Sequence, residues 1–163
     1  MKCFLSTLAL LFIAQTCLAA DLEPMLNVKY GEHPRNVLDF YPAKSETPTP
    51  VVFYIHGGGW RGGDKKTNAK VYNDNGISVV AINYRYVQNG VQEKVEPPVK
   101  APLHDAARAL QFVRSKAKEW NLDKDRIGAT GGSAGGCSSL WLAFHPDMAD
   151  PDSDDSIARE STR

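Results

Sequence analysis

The sequence is short of thiols, of net charge and of long apolar runs. Three cysteines stand in 163 residues, and two of them, Cys3 and Cys17, fall in the first twenty. Cys137 is left as the one thiol of the remainder, which excludes an internal disulfide framework. In an apolar stretch such a residue reads as a small buried side chain rather than as a nucleophile. Nineteen basic residues balance nineteen acidic ones, so there is no basic footprint for nucleic acid. The longest mostly apolar run, Phe4 to Ile13, is short of the ~20 residues that cross a bilayer. No Gly-Lys-Ser or Gly-Lys-Thr stands at the spacing of a phosphate-binding loop.

What is there begins with the leader. Lys2 gives a positive start, the run to Ile13 an apolar centre, and Leu18-Ala19-Ala20 small residues for cleavage. Residues 1–20 therefore read as a signal peptide, which makes the product secreted or periplasmic with no span left after cleavage. Residues 21–163 then form one domain.

Two unalternating apolar runs, Val51 to Ile55 and Ile77 to Ile82, suit strands covered on both faces of a parallel sheet. The stretch from about Lys66 to Asn75 is long enough for a crossover helix between them. Val28 to Tyr30 and Asn36 to Tyr41 read as a shorter antiparallel pair at the sheet's edge. Residues 47–50 and 87–100 read as loops, because of their prolines and Gly90. Leu103, Ala106, Leu110, Val113, Ala117 and Trp120 are spaced as one stripe of a helix starting near Pro102. Arg126 to Thr130 is a short strand, Ala134 to Phe144 a helix, and 147–155 an acidic loop.

The chemistry sits in two glycine-rich segments. In Gly131-Gly132-Ser133-Ala134-Gly135-Gly136 a serine lies between a strand and a helix, as in a nucleophile elbow. The turn must be strained so that the hydroxyl stands clear, and the small neighbours avoid collision with strand and helix. His56-Gly57-Gly58-Gly59-Trp60 follows the first buried strand, at the carboxyl end where open α/β sheets bind ligands. Backbone N–H groups of such a loop can approach an oxyanion. His56 reads as the residue that orients the loop, not as a catalytic base.

With Asn83-Tyr84-Arg85 and Asp105, these motifs make the chain from about Val28 onward resemble the α/β-hydrolase fold. The likeness is to its esterase/lipase branch, which includes hormone-sensitive-lipase-like and feruloyl- or acetyl-esterase-like enzymes. The resemblance implies a mostly parallel sheet with flanking helices and no cofactor. Its substrate would be a small-molecule ester. Ser133 would be the nucleophile and the N–H groups of Gly58, Gly59 and Ala134 the oxyanion hole. His56, Gly57, Gly131 and Gly135 would support the motifs, and Asn83-Tyr84-Arg85 and Asp105 would be structural. A serine peptidase on the same fold is the alternative chemistry.

The same family pattern places an acid and a histidine after the serine. Only 30 residues follow Ser133, and the one histidine among them, His145, comes after a helix that rises ~18 Å. The expectation is thus of an N-terminal portion, truncated after the elbow helix and lacking the acid and base. A catalytically inactive fragment or non-catalytic module is the competing reading. Acyl and alcohol specificity and oligomeric state stay open.

Overall fold

The computed structural model describes residues 22–163; the leader reading falls on residues that lie outside the described ones. Five strands form one mixed sheet in the order β1-β2-β4-β3-β5. They are β1 (Met25–Lys29), β2 (Val37–Tyr41), β3 (Thr49–Ile55), β4 (Ser78–Ile82) and β5 (Leu122–Thr130). β1, β2 and β4 pair antiparallel, whereas β4, β3 and β5 run parallel. The helices are α1 (Lys70–Asn73), α2 (Val87–Gln92), α3 (Lys100–Ser115) and α4 (Ala134–Phe144).

Burial follows the pattern of the apolar runs. All five residues of β4 are buried, while β3 buries Thr49, Val51, Phe53 and Ile55 and leaves Val52 and Tyr54 half covered. Phe53, Ile55, Val80 and Ile82 join Leu38 and Phe40 of β2 in one cluster with Ala106, Ala109, Leu110 and Val113 of α3. At ~25 cal/mol per Å² of apolar surface removed from water, each such large side chain contributes ~1.5–3 kcal/mol. The periodic stripe is therefore the face that fastens α3 to the sheet. Its last two members are buried but not helical, since α3 ends at Ser115. Trp120 instead enters from the following turn and stacks on Phe40, with ring centroids 4.5 Å apart.

Four local expectations change. Residues 87–100 are not all loop: α2 occupies their first half. Its signal is an N-terminal cap in which the Asn89 side chain accepts the Tyr86 N–H at 2.8 Å. That is the reciprocal arrangement of a capping box, made with Asn rather than Glu or Gln. Gly90 is tolerated in this helix because a Cβ there would collide with the Pro98 carbonyl. Thr49 and Pro50, read as loop, open β3. The missing N–H of Pro50 is accommodated because register with β5 breaks between Thr49 and Val51, a place where proline is allowed. The early strand runs 25–29, with Tyr30 beyond its end. β5 starts at Leu122 rather than at Arg126.

β5 ends the strand order, and among the described residues nothing pairs with its outer side. Asp123, Lys124, Asp125 and Arg126 lie along this edge, and such charges discourage pairing with another chain.

Candidate active site

β5 runs into α4 through Gly131, Gly132 and Ser133, and the turn is sharp because of sterics that the sequence meets with glycine. A Cβ on Gly131 or on Gly135 would overlap the carbonyl oxygen of Ile55, the last residue of β3. Both glycines, one helical turn apart, thus let the elbow close on the end of the neighbouring strand. Ser133 takes up the resulting strain at φ 52°, ψ −120°, a conformation that costs about 1–3 kcal/mol for a residue with a side chain. Its side chain is exposed, and among the described residues its hydroxyl has no hydrogen-bond partner.

The glycine loop lies beside it. A Cβ on Gly57 would sit 2.8 Å from the Gly132 carbonyl oxygen and 3.6 Å from Ser133 Cβ. Gly58 and Gly59 have positive φ, 98° and 60°, followed by Trp60 at 55°. Among the described residues no acceptor takes the N–H of Gly58 or Gly59. Ala134 opens α4, where first-turn N–H groups lack intrahelical partners and the positive end of the helix dipole gathers. Free N–H groups on both sides of an exposed serine can stabilise a negative oxygen formed on an adjacent acyl carbon.

His56 is the loop's pivot. It is 3% exposed and its ring stacks on Tyr84 at 4.3 Å. Its Nδ1 lies 2.7 Å from the Gly57 carbonyl oxygen and its Nε2 3.4 Å from Arg35 Nη2. Arginine only donates. Nε2 is therefore the acceptor, and Nδ1 carries the proton that it donates to Gly57. Tyr84 Oη donates to the His56 carbonyl at 2.6 Å. Burial pushes the His56 pKa down, the Gly57 carbonyl pulls it back up, Arg35 lowers it and Asp64 raises it, with a net lowering. A buried neutral imidazole with both nitrogens engaged orients a loop; it has no free position for general-base work.

This lowering has a consequence for stability. Between the depressed value and the ordinary ~6.5, the unfolded chain binds a proton that the folded one does not. Stability is expected to fall as pH drops through that window, which urea midpoints at pH 7.5 and pH 5 measure. His104, also lowered, chiefly by burial, adds with the same sign, so the decline should shrink in His104→Gln.

The remaining histidines stand away from Ser133. His33 faces Glu93 at 4.0 Å. His104 is 5.9 Å from the Trp141 ring, which in turn lies 4.2 Å from His145. His145 bonds the Pro146 carbonyl at 2.8 Å, at the opposite end of α4 from the elbow. Among the described residues no histidine or carboxylate hydrogen-bonds Ser133. No group of three or more His, Cys, Asp or Glu among them could hold a metal ion. Cys137 is exposed rather than buried, contrary to the sequence reading. It lies one turn after Ser133 on the outer side of α4.

Asn83, Tyr84, Arg85 and Asp105 are framework. Asp105, 4% exposed, takes Arg85 Nη2 at 2.6 Å, Arg85 Nε at 3.0 Å, the Arg85 backbone N–H at 2.8 Å and Asn36 Nδ2 at 2.8 Å. The Asp105 side chain holds the Arg85 guanidinium well above its already high pKa. Asn83 Oδ1 accepts the Lys65 N–H at 2.8 Å. Three further anchors of the loop carry no motif. Lys65 Nζ pairs with buried Asp39 at 3.1 Å, Trp60 Nε1 donates to the buried Ser138 Oγ at 3.0 Å, and Arg35 meets His56. Ser138 could have been found as the polar position on the inner side of α4, five residues after the serine. Ser138→Ala orphans the indole N–H and is expected to cost about 1 kcal/mol, read as a lowered urea midpoint.

Against known proteins, the BD-FAE family model matches residues 38–162. LipM of Mycobacterium tuberculosis, described as a probable carboxylic ester hydrolase, is 38% identical over 130 residues, covering 74% of this chain and 28% of LipM. Carboxylesterase NlhH of the same organism is 33% identical over 108 residues, covering 64% of this chain and 32% of NlhH. Among solved structures, an acetyl ester-xyloside bifunctional hydrolase from Caldicellulosiruptor lactoaceticus superposes with TM-score 0.66 at 33% identity, over 78% of this chain and 46% of that one. A thermophilic esterase of Thermogutta terrifontis, solved with propionate bound, gives 0.66 at 26% identity, over 86% and 52%. The chain thus spans about a third or less of these two curated relatives and about half of these solved structures.

Proposed function

The chain belongs to the BD-FAE family of α/β-hydrolase esterases, and from that premise we propose that it serves as a carboxylic ester hydrolase with Ser133 as the nucleophile. Ser133 Oγ attacks the acyl carbon of a small-molecule ester. The charge that moves onto the carbonyl oxygen is met by the N–H groups of Gly58, Gly59 and Ala134. Collapse of that intermediate releases the alcohol with a proton and leaves the acyl group on Ser133, and water then frees the carboxylic acid. The observation that carries this reading is an exposed serine held at φ 52° beside a loop whose Gly58 and Gly59 N–H groups meet no acceptor among the described residues. No cofactor takes part in it. Ester rather than peptide chemistry is favoured because the relatives named above are esterases.

The proton of Ser133 must go to a base, and none of the described histidines reaches it. This reading therefore assigns the nucleophile and the oxyanion donors to these residues and leaves acid and base outside them. That observation favours a second reading, a non-catalytic module. A fluorophosphonate probe separates the two. An adduct mapped by peptide mass to Ser133 is expected; an unlabelled chain, or an adduct elsewhere, overturns the catalytic reading for these 163 residues. The leader at residues 1–20 makes the protein exported in the same proposal, and a mature N-terminus near Asp21 on expression checks it.

A further inference from the structure

We propose that Arg35, on the turn joining β1 to β2, is a positioning residue for the acyl-transfer site. It acts by holding the His56 ring in the Nδ1–H form, which fixes the plane of the Gly57–Gly58 peptide. The inference rests on the reading of Gly58 N–H as an oxyanion donor. Arg35 lies upstream of the residues matched by the family model, in a polar turn without a motif.

The chain of contacts is short. The carbonyl of Gly57 and the N–H of Gly58 belong to one planar peptide, so whatever fixes the first aims the second the opposite way. His56 Nδ1 fixes the carbonyl at 2.7 Å, and Tyr84 Oη, whose one proton is directed mainly to the His56 carbonyl at 2.6 Å, adds a longer shared contact at 3.2 Å. The His56 bond exists only while Nδ1 carries the proton. Free imidazole has two neutral forms, and the partner of one nitrogen decides which form a protein holds. Here that partner is Arg35 Nη2 at 3.4 Å from Nε2. A proton on Nε2 would set donor against donor. Arg35 disfavours both the other neutral form and the imidazolium.

The guanidinium is itself held in place. Its Nε donates to the Tyr84 carbonyl at 2.7 Å, its Nη2 reaches the Gly63 carbonyl at 3.3 Å, and its plane lies 3.8 Å from the Tyr86 ring centroid. Tyr86 Oη donates to the same Gly63 carbonyl at 2.7 Å. Gly63 packs back on the ring, since a Cβ there would collide with His56 Nδ1 and stand 2.8 Å from the Gly57 carbonyl oxygen. The groups that bear on His56 are Arg35 from the hairpin turn, Asp64 from the loop and Tyr84 from the segment after β4. Only Arg35 and Asp64 are charged, with opposite effects, so removing Arg35 leaves Asp64 to favour the imidazolium.

The test compares the 163-residue chain with Arg35→Met, which keeps the stem and removes every donor, and with Arg35→Lys. The readout is the pair of His56 ring 15N shifts against pH, with the backbone amide shifts of residues 57–59 and the urea midpoint as a control for folding. The wild type should show an acceptor-type Nε2 and a protonated Nδ1 at pH 7. In Arg35→Met the Nε2 signal should move to the protonated type, the His56 midpoint should rise, and the backbone amide resonances of residues 57–59 should shift as the peptide plane loses its anchor. Arg35→Lys should recover part of each. A protonated Nε2 in the wild type overturns the proposal, and so does an Arg35→Met chain whose His56 titration and 57–59 amide shifts match the wild type. An Arg35→Met chain that does not fold passes the decision to the wild-type shifts and to Arg35→Lys. These readouts need no turnover. Failure of the nucleophile reading shows separately, as a wild-type chain whose Ser133 takes no fluorophosphonate adduct.

Discussion

Gly135→Ala is expected to lower the unfolding free energy by about 3 kcal/mol or more, the upper end of what overpacking a core costs. The added methyl would overlap the Ile55 carbonyl oxygen and sit 2.9 Å from its carbon and 3.0 Å from the His56 carbonyl oxygen. None of these atoms ends a flexible side chain. All are backbone of β3 where it turns into the glycine loop, and β3 is paired on both sides, by β4 and β5. The elbow would have to withdraw from the strand or the strand from its neighbours, and in either case the distance between Ser133 and the loop changes. Gly131→Ala meets the same carbonyl oxygen and should behave alike, whereas the double variant should cost less than the sum, because one withdrawal relieves both. Gly128 is the control. It lies in β5 with nothing within 4 Å of an added Cβ and no positive φ, so Gly128→Ala should stay within about 0.5 kcal/mol of the wild type. Urea midpoints of the wild type and the four variants, together with the rate of fluorophosphonate labelling, measure both effects. Equal midpoints for Gly135→Ala and Gly128→Ala would sink the account.

That contrast also explains what could be read without a structure. The glycines at 131 and 135 are required by contacts made within one strand–turn–helix unit and its neighbour, and such requirements leave a dense local pattern. The same holds for Gly58, whose Cβ would collide with the Gly62 carbonyl four residues on. The apolar runs of β3 and β4 and the stripe of α3 were legible for the same reason, since periodicity is local. α2 was not, because its start is set by one Asn side chain and its sequence, with Gly90, has no apolar period. Nor were Arg35, Asp39, Lys65 and Ser138. Each acts on a partner between 21 and 78 residues away, and in sequence each is one polar residue among many. Such roles belong to the fold rather than to a motif. Cys137 was misplaced because the mean apolarity of α4 does not say which side faces out; Leu140 and Phe144, 60% and 80% exposed, share that outer side.

Asp105→Ala is expected to cost about 3–5 kcal/mol, the range for removing one partner of a buried ion pair. Asp105 is nearly inaccessible, and the Arg85 side chain it faces is 22% exposed, so screening by water takes little from the figure. Loss of the carboxylate leaves Asn36 Nδ2 and the Arg85 backbone N–H without their acceptor and leaves Glu93 as the guanidinium's remaining acidic partner. Asp105→Asn should recover little, because its amide keeps one acceptor but turns a donor toward Arg85 or Asn36, both of which also donate. The effect should reach the site. Asp105 fixes Arg85, which adjoins Tyr84, and Tyr84 Oη holds the carbonyls of His56 and Gly57. A purely structural loss would speed hydrogen exchange uniformly in proportion to the lost stability. A loss that travels along this path should in addition shift the backbone amide resonances of residues 57–59 under conditions where the core amides of β3 and β4 remain protected. Combining Asp105→Ala with Tyr84→Phe gives the decisive comparison. If both act on the loop through the Tyr84 hydroxyl, the double variant should shift the 57–59 amide resonances no further than the larger single variant, while summed shifts would mean that Asp105 and Tyr84 support the loop independently.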